Sequence, residues 1–123
     1  MKKANTAKSK KAKGKVLENW VAAHLRSSGA DVGARAMPGS GAYTHFKSDV
    51  YTKLRYSFEC KSQETTKVWD WYAQAESQAS GVEIPVVIFK RNYSQPMALL
   101  TAENFLNMVA EIETLWEDLG KKR

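Results

Sequence analysis

Hydrophobic residues recur at helical spacing in three parts of the chain. The first pattern predicts a helix at 15–27 that ends before Gly29, and the second predicts a helix at 65–80. The third predicts a helix at 101–119 with an acidic outer face. We expect its inward face to consist of Phe105, Leu106, Val109, Ile112 and Trp116.

Shorter apolar and β-branched runs predict the strands. They lie at 30–36, 48–52, 56–62, 84–89 and 97–100, and a polar turn at 53–55 is expected to join the second and third as an antiparallel hairpin. The run at 84–89 is continuously apolar, which indicates a central strand covered on both faces. The order of elements predicts a single α/β layered domain around a mixed sheet.

The hairpin carries the candidate chemistry. Side chains alternate along a strand, so Glu59 and Lys61 face one way and Cys60 faces the other. Pairing across the turn would bring Asp49 near Glu59 and Lys61. Carboxylate oxygens suit a hard cation such as Mg²⁺, and a lysine beside it could orient or deprotonate an attacking water. The alternative is a solvated strand face, on which charged residues commonly alternate.

Composition limits the other kinds of site. A chain of 123 residues forms one domain, and a single cysteine excludes an internal disulfide and any multi-cysteine zinc site. Cys60 itself is expected to be a small buried hydrophobe. No apolar run approaches the ~20 residues of a membrane span, and no apolar core follows the N-terminal lysines. We therefore expect a cytoplasmic protein of a bacterial, archaeal or phage-infected cell, neither secreted nor in contact with a membrane.

The net charge of +6 is concentrated at one end. Residues 1–15 hold seven lysines and no acid, whereas the rest of the chain holds twelve Lys and Arg against thirteen Asp and Glu. The composition of residues 1–14 predicts a flexible arm ahead of a domain at 15–123. Such an arm suits sequence-independent contact with nucleic-acid phosphates, although a solubility tail has the same composition. The candidate phosphate contacts are Lys8, Lys10, Lys11, Lys13 and Lys15.

Three further residues are candidates for accessory roles. Ser40 lies in a Pro-Gly-Ser-Gly loop at 38–41, whose backbone amides could contact a phosphate or simply form a turn. His45 could act as a general base or a phosphate contact, or be an ordinary loop histidine. Gln74 and Gln78 lie one helical turn apart and face alike.

Several motifs come in order along the chain, and together they resemble those of a known superfamily. They are Gly14-Lys15-x-x-Glu18, Arg35 leading into Pro38-Gly39-Ser40-Gly41, Ser48-Asp49-Val50, Phe58-Glu59-Cys60-Lys61, and the strand Ile84-Pro85-Val86-Val87-Ile88-Phe89. This set resembles the PD-(D/E)xK nuclease superfamily, most specifically archaeal-type Holliday junction resolvases and their phage relatives. Ser48 stands where the motif usually has proline.

The resemblance implies a restriction-endonuclease-like core, a mixed sheet flanked by helices. It implies Asp49 and Glu59 as Mg²⁺ ligands together with the backbone carbonyl of Cys60, and Mn²⁺ as a substitute ion. Lys61 would position the attacking water, and Glu18 would be an accessory acid. The accessory or substrate-contacting positions would be Ser40, Arg35, His45 and the helix glutamine, which is Gln74 or its rival Gln78.

The implied activity is that of a Mg²⁺-dependent endodeoxyribonuclease. The expected substrate is DNA, in particular branched or four-way junctions, and symmetric cutting of a junction calls for a homodimer. Two alternatives remain open. One is another structure-specific or non-specific phage-type DNA nuclease, and the other is a catalytically idle DNA-binding module of the same fold.

Overall fold

The computed structural model of the chain describes residues 7–38 and 48–120. These residues form three helices, α1 (Ala7–Ser27), α2 (Val68–Gln78) and α3 (Ala102–Asp118), with three strands between α1 and α2 and two between α2 and α3. The strands are β1 (Arg35–Ala36), β2 (Val50–Tyr51), β3 (Tyr56–Ser62), β4 (Ile84–Lys90) and β5 (Met97–Leu99). Ser40 and His45 lie outside the described residues. In this part of the chain, no helix combines the length and apolar character needed to cross a membrane.

The central sheet is mixed, as the order of elements predicts. β4 lies in the middle, parallel to β3 and antiparallel to β5. Parallel strands need a long crossover, and α2 provides it between β3 and β4. β1 and β2 form a separate antiparallel pair. The α/β class is confirmed, and the arrangement is compatible with a restriction-endonuclease-like core.

Two apolar clusters cover the faces of the sheet. On one face, α1 packs against β2 and β3 through Leu17, Val21, Ala22, Ala34, Val50 and Cys60. On the other, α2 packs against β4 through Trp71, Ala75 and Val87. Cys60 is a buried free thiol, as expected. β4 buries both Val86 and Val87, which confirms that its apolar run is covered on both faces.

The first helix begins earlier than the pattern predicts. α1 starts at Ala7, so residues 7–14, which composition assigns to a flexible arm, are helical. Alanine and lysine have high helix propensity, and they make up most of this stretch. The apolar stripe that helical spacing predicts for this helix includes Val16 and Trp20, but these side chains are 68% and 47% exposed. The small Ala22 is fully buried instead.

The prediction that 48–52 and 56–62 pair as an antiparallel hairpin is wrong, because the two segments belong to different sheets. β2 pairs with β1, and it approaches β3 through a backbone hydrogen bond of 3.0 Å from Asp49 N to Phe58 O. The hydroxyls of Ser48 and Ser57 make a buried contact across the same gap. The two segments therefore do lie side by side, but one backbone hydrogen bond and the Ser48–Ser57 side-chain contact connect them instead of a regular β-ladder.

A buried carboxylate holds the turn between β2 and β3. Asp31 Oδ2 accepts hydrogen bonds from Thr52 Oγ1 at 2.5 Å and from Lys53 N at 2.9 Å, while Oδ1 accepts one from Gly33 N at 3.0 Å. The hydrogen bond from Thr52, followed by those from the backbone, lowers the pKa of Asp31. This clamp ties the loop after α1 to the turn that precedes β3.

The inward face predicted for the last helix is wrong. Thr101 caps α3, since its hydroxyl accepts a hydrogen bond of 3.1 Å from Asn104 N. Beyond that cap, however, no residue of α3 is buried. Phe105, Leu106, Val109, Ile112 and Trp116 are all between 39% and 60% exposed. The amphipathic pattern is real, but the described part of the fold does not cover it.

Candidate active site

Asp49 is fixed to the outer edge of β3. Its backbone amide donates to Phe58 O, and its Oδ2 accepts a hydrogen bond of 2.8 Å from the backbone amide of Cys60. Asp49 therefore occupies two backbone hydrogen-bonding groups of β3, the Phe58 carbonyl and the Cys60 amide, that a neighbouring strand would otherwise pair with. Within the described residues, Oδ1 of Asp49 receives no hydrogen bond.

The carbonyl of Cys60 lies on the same edge. In a strand, the N–H and C=O of one residue point to the same side, and the Cys60 N–H points away from β4 toward Asp49. The Cys60 carbonyl is therefore directed toward the Asp49 side of β3. This places a backbone oxygen beside the first carboxylate, where the resemblance expects a metal ligand.

Glu59 and Lys61 face the same way from β3, as their spacing predicts. Glu59 is 4% exposed, and its Oε2 lies 3.5 Å from Lys61 Nζ. The regular pleat of the strand produces this arrangement, because residues two apart share a face. A buried carboxylate and a largely buried ammonium are thus held in contact.

The structure distinguishes the two glutamines of α2. Lys61 Nζ donates a hydrogen bond of 2.7 Å to Gln74 Oε1. α2 packs over β3 and β4, which brings Gln74 above the end of β3. Lys61 is therefore held between the Gln74 amide and the Glu59 carboxylate. Sequence alone left Gln74 and Gln78 as rivals, because they face alike on the helix.

Glu18 approaches this group from α1. Its carboxylate pairs with Lys15 Nζ at 3.0 Å, and its side chain is 16% exposed. Lys15 Nζ also donates a hydrogen bond of 2.5 Å to the carbonyl of Met37. Lys15, predicted as a phosphate contact, is thus engaged within the protein, where it supports Glu18 and the segment after β1.

Burial raises the pKa of all three carboxylates, and the Asp49 charge adds to the shift at Glu59 and at Glu18. Burial raises the pKa of Glu59 to about 7, and the nearby Asp49 charge adds to the shift. Burial likewise raises the pKa of Asp49 and of Glu18, against the lowering effect of their hydrogen bonds. A cation placed among these groups would relieve both the burial cost and the mutual repulsion. The buried negative charges of these carboxylates therefore favour binding of a positive ion.

The donor set fits a hard divalent cation that keeps several waters. Among residues 7–38 and 48–120, no three His, Cys, Asp or Glu side chains cluster as an all-side-chain metal site. Asp49, Glu59 and the Cys60 carbonyl instead offer oxygen ligands alone. Mg²⁺ is commonly bound by one or two carboxylates with water in its other positions. These residues therefore match Mg²⁺ better than a metal that demands nitrogen or sulfur ligands.

The other basic residues singled out by the sequence belong to β1 and α1. Arg35 is exposed in β1, with its guanidinium 4.4 Å from the centre of the Tyr51 ring. Lys11 and Lys15 share a face of α1 with Glu18, because they lie seven and three residues before it. Lys8 also belongs to α1.

A second lysine pair faces a groove that the sequence did not indicate. Lys10 and Lys13 line it on the α1 side, opposite the segment 62–65 that follows Lys61 and opposite Lys67. The groove begins at Ser62, one residue beyond Lys61 in β3. Lys67 lies far from the N-terminal lysines in sequence, so no local charge pattern could have grouped these side chains.

The comparisons with known proteins identify the family of the chain. Residues 9–120 match the model of a protein family described as "Phage putative PDDEXK endonuclease". The match covers α1, the candidate centre and α3. No curated protein and no solved structure matches the chain.

Proposed function

Since the chain belongs to this family of phage PD-(D/E)xK endonucleases, we propose that it is a divalent-metal-dependent DNA endonuclease, and specifically a Holliday junction resolvase. The observation that carries the proposal is the convergence of Asp49, Glu59, Lys61 and Gln74 at β3. Nucleases of this superfamily generally use divalent metals and act on DNA. An idle binding module would gain nothing from burying repelling carboxylates at this cost.

The ion proposed for the site is Mg²⁺, with Mn²⁺ as its substitute. Asp49, Glu59 and the Cys60 carbonyl would hold it. When bound, the ion supplies a Lewis acid for the phosphate and lowers the pKa of a coordinated water. Asp49 is already fixed to β3 through the Cys60 amide, so the ligands need little rearrangement to take up the ion.

Lys61 is proposed to align the attacking hydroxide and to stabilise the charge that develops on the phosphate. Glu59 and Gln74 both contact its ammonium group, and this fixes the direction of Lys61 Nζ. Preorganised charge of this kind is worth far more in a largely buried site than in water. Glu18 is proposed to assist from α1, with Lys15 balancing its charge.

The distribution of charge suggests how DNA would approach. On α1, Lys10 and Lys13 line the groove beside Ser62, and Lys15 pairs with Glu18. α3, by contrast, carries five acids and no basic residue between 102 and 119. A phosphate backbone would therefore be attracted along α1 and repelled by α3. Arg35, Ser40 and His45 remain proposed accessory or substrate-contacting residues.

A junction substrate adds a requirement on assembly. A four-way junction is resolved by two symmetrically placed cuts, and a single copy of this chain has one candidate centre within its described residues. Two copies related by a twofold axis would supply the second site. We therefore propose a homodimer as the active form.

The deciding experiment compares DNA substrates under defined metal conditions. A labelled four-way junction, a linear duplex, a single strand and a flapped duplex would be incubated with Mg²⁺, Mn²⁺ or EDTA. Glu59→Ala serves as the inactive control. Paired symmetric cuts restricted to the junction support a resolvase, whereas cutting of every substrate indicates a general nuclease. Metal-independent binding without any cutting would overturn the enzymatic proposal.

A further inference from the structure

The exposed side of α3 has the spacing of a helix-pairing surface. Ala102, Phe105, Val109, Ile112, Trp116 and Leu119 follow one another at intervals of three and four residues. This alternation is the a and d pattern of a heptad, which places all six along one stripe of the helix. We call these six residues the α3 seam.

The α3 seam is exposed to a degree that a stable fold seldom tolerates. Its large members are between 39% and 68% exposed, and no residue of α3 is buried. Leu106 and Leu115, each 60% exposed, widen the apolar stripe on either side. Helices in proteins owe most of their stability to packing of their apolar face, so a 17-residue helix with this sequence calls for a partner surface.

We propose that a second copy of this chain covers the α3 seam, with the two α3 helices packed antiparallel about a twofold axis. This inference assigns a contact surface to the homodimer proposed above, but it is argued from the exposure and spacing of α3 and not from the nuclease assignment. The regular a and d spacing fits another helix of the same spacing better than it fits a sheet or an irregular groove. A second copy provides such a helix without any further protein.

The available apolar surface is sufficient for a stable pair. Aromatic side chains cover about 150–250 Å² each and aliphatic ones somewhat less, so at the exposures given above the α3 seam with Leu106 and Leu115 exposes roughly 600 Å² per copy. A standard interface buries about 800 Å² per partner, of which roughly 60% is apolar. The α3 seam therefore supplies the apolar part of such an interface.

The sizes of the seam residues favour the antiparallel orientation. An antiparallel pair would place Val109 against Ile112, Phe105 against Trp116, and Ala102 against Leu119 of the second copy. Each end layer then combines the small Ala102 with a large residue, which fills space evenly. A parallel pair would instead stack Ala102 on Ala102 and Trp116 on Trp116, leaving a gap at one end and crowding at the other.

The acidic residues of α3 lie mostly outside the α3 seam. Their charge also predicts how salt affects self-association. Glu103, Glu111, Glu117 and Asp118 lie at outer heptad positions, and Glu113 alone flanks the seam. Glu111 is already paired with Arg55 at 2.9 Å within one copy. Two acidic helices still repel at a distance, and salt screens that repulsion. Self-association should therefore strengthen with ionic strength, whereas binding of a basic helix from another protein would weaken.

The test measures the mass of the full chain in solution. The monomer has a mass of 13.8 kDa, and sedimentation equilibrium over a range of concentrations should show a dimer that forms more readily in high salt. Ile112→Glu places a charge in the α3 seam and should weaken dimerisation at least about a hundredfold, because a buried unpaired charge is costly. Thr114→Glu adds the same charge on the opposite side of α3 and should leave the mass unchanged.

Circular dichroism of both variants shows whether they remain folded, as the exposure of Ile112 and Thr114 leads us to expect. A wild-type mass of one chain at every concentration and salt would overturn the proposal and leave the α3 seam to a different partner. An Ile112→Glu variant that dimerises like the wild type would overturn it equally. A monomer at every concentration would also contradict the homodimer proposed for junction resolution, whereas metal-dependent DNA cleavage by a single copy is tested separately by the cleavage assay.

Cross-linking tests the orientation. A chain carrying both Ala102→Cys and Leu119→Cys should form a covalent dimer on mild oxidation, since the antiparallel pair brings these positions together. Ala102→Cys alone should cross-link poorly. The native Cys60 is buried and does not compete. Equal cross-linking of the single and double variants would overturn the antiparallel arrangement.

Discussion

Asp49 Oδ2 accepts a hydrogen bond of 2.8 Å from the backbone amide of Cys60, the residue that separates Glu59 from Lys61. The first carboxylate of the candidate centre is thus attached to the strand that carries the other two groups. Any displacement of β3 moves all three together, which keeps their relative geometry constant. The same contact occupies an edge position of β3, so Asp49 also limits pairing of β3 with β2.

Asp49→Asn should abolish cleavage while preserving the fold. The amide oxygen can still accept the hydrogen bond from Cys60, but the charge that would hold the metal is lost. We expect the cleavage rate with Mg²⁺ to fall at least about a hundredfold, since metal stabilisation of the transition state is worth several kcal/mol. Asp70→Asn, at an exposed position of α2, is the matched control. Cleavage within a few-fold of wild type in Asp49→Asn would contradict the assignment.

Glu59 should make the metal-free protein less stable as the pH rises. Its folded-state pKa of about 7 lies above its ordinary value of 4.5. The unfolded chain therefore loses this proton first, and stability falls between about pH 4.5 and pH 7 and then levels off. The total loss from this group is about 3 kcal/mol, at 1.36 kcal/mol for each pKa unit.

Glu59→Gln should remove this fall. Urea unfolding in EDTA at pH 5 and pH 8 would give the free energy of unfolding of the wild type and of the variant at each pH. We expect the variant to be the more stable protein at pH 8 although it does not cleave DNA. A variant that shows the same loss of stability from pH 5 to pH 8 as the wild type would show that Glu59 is not its source.

Gln74 and Gln78 should differ in their effect on catalysis. Gln74 accepts the hydrogen bond from Lys61, so Gln74→Ala would free the ammonium group to adopt other positions. We expect roughly a ten- to hundredfold loss in kcat, the order expected for one charge-assisted hydrogen bond of about 1.5–3 kcal/mol. Gln78→Ala should retain kcat, and single-turnover cleavage of one DNA substrate would measure both. A larger loss in Gln78→Ala would reverse the assignment of the two glutamines.

Lys13 should contribute to DNA affinity through phosphate contact. Lys13→Gln removes one charge from the groove beside Ser62. It should weaken binding equally for different sequences and reduce the slope of log K against log salt by about 1. Lys53→Gln removes a charge from the exposed turn before β3 and is the control. Fluorescence anisotropy at several salt concentrations, with Ca²⁺ or EDTA to prevent cutting, would show whether the two slopes differ.

Sequence by itself determined which side chains of β3 share a face. The period of a strand puts Glu59 and Lys61 on one face, and the structure shows them 3.5 Å apart. The apolar run of β4 likewise determined that both of its faces are covered. Such features depend on residues a few positions apart, whose relation is set by the local backbone, so a pattern in the sequence is enough to predict them.

Only the tertiary structure decided which side chains from distant segments meet. The packing of α2 over β3 selects Gln74 rather than Gln78 as the partner of Lys61, and the Asp49–Cys60 hydrogen bond replaces the predicted hairpin ladder. The α3 pattern showed that one face of the helix is apolar, but not that the described fold leaves this face exposed. Contacts of this kind depend on the path of the chain between elements. Local periodicity carries no record of that path, because the same amphipathic helix can pack against its own sheet or against a second copy.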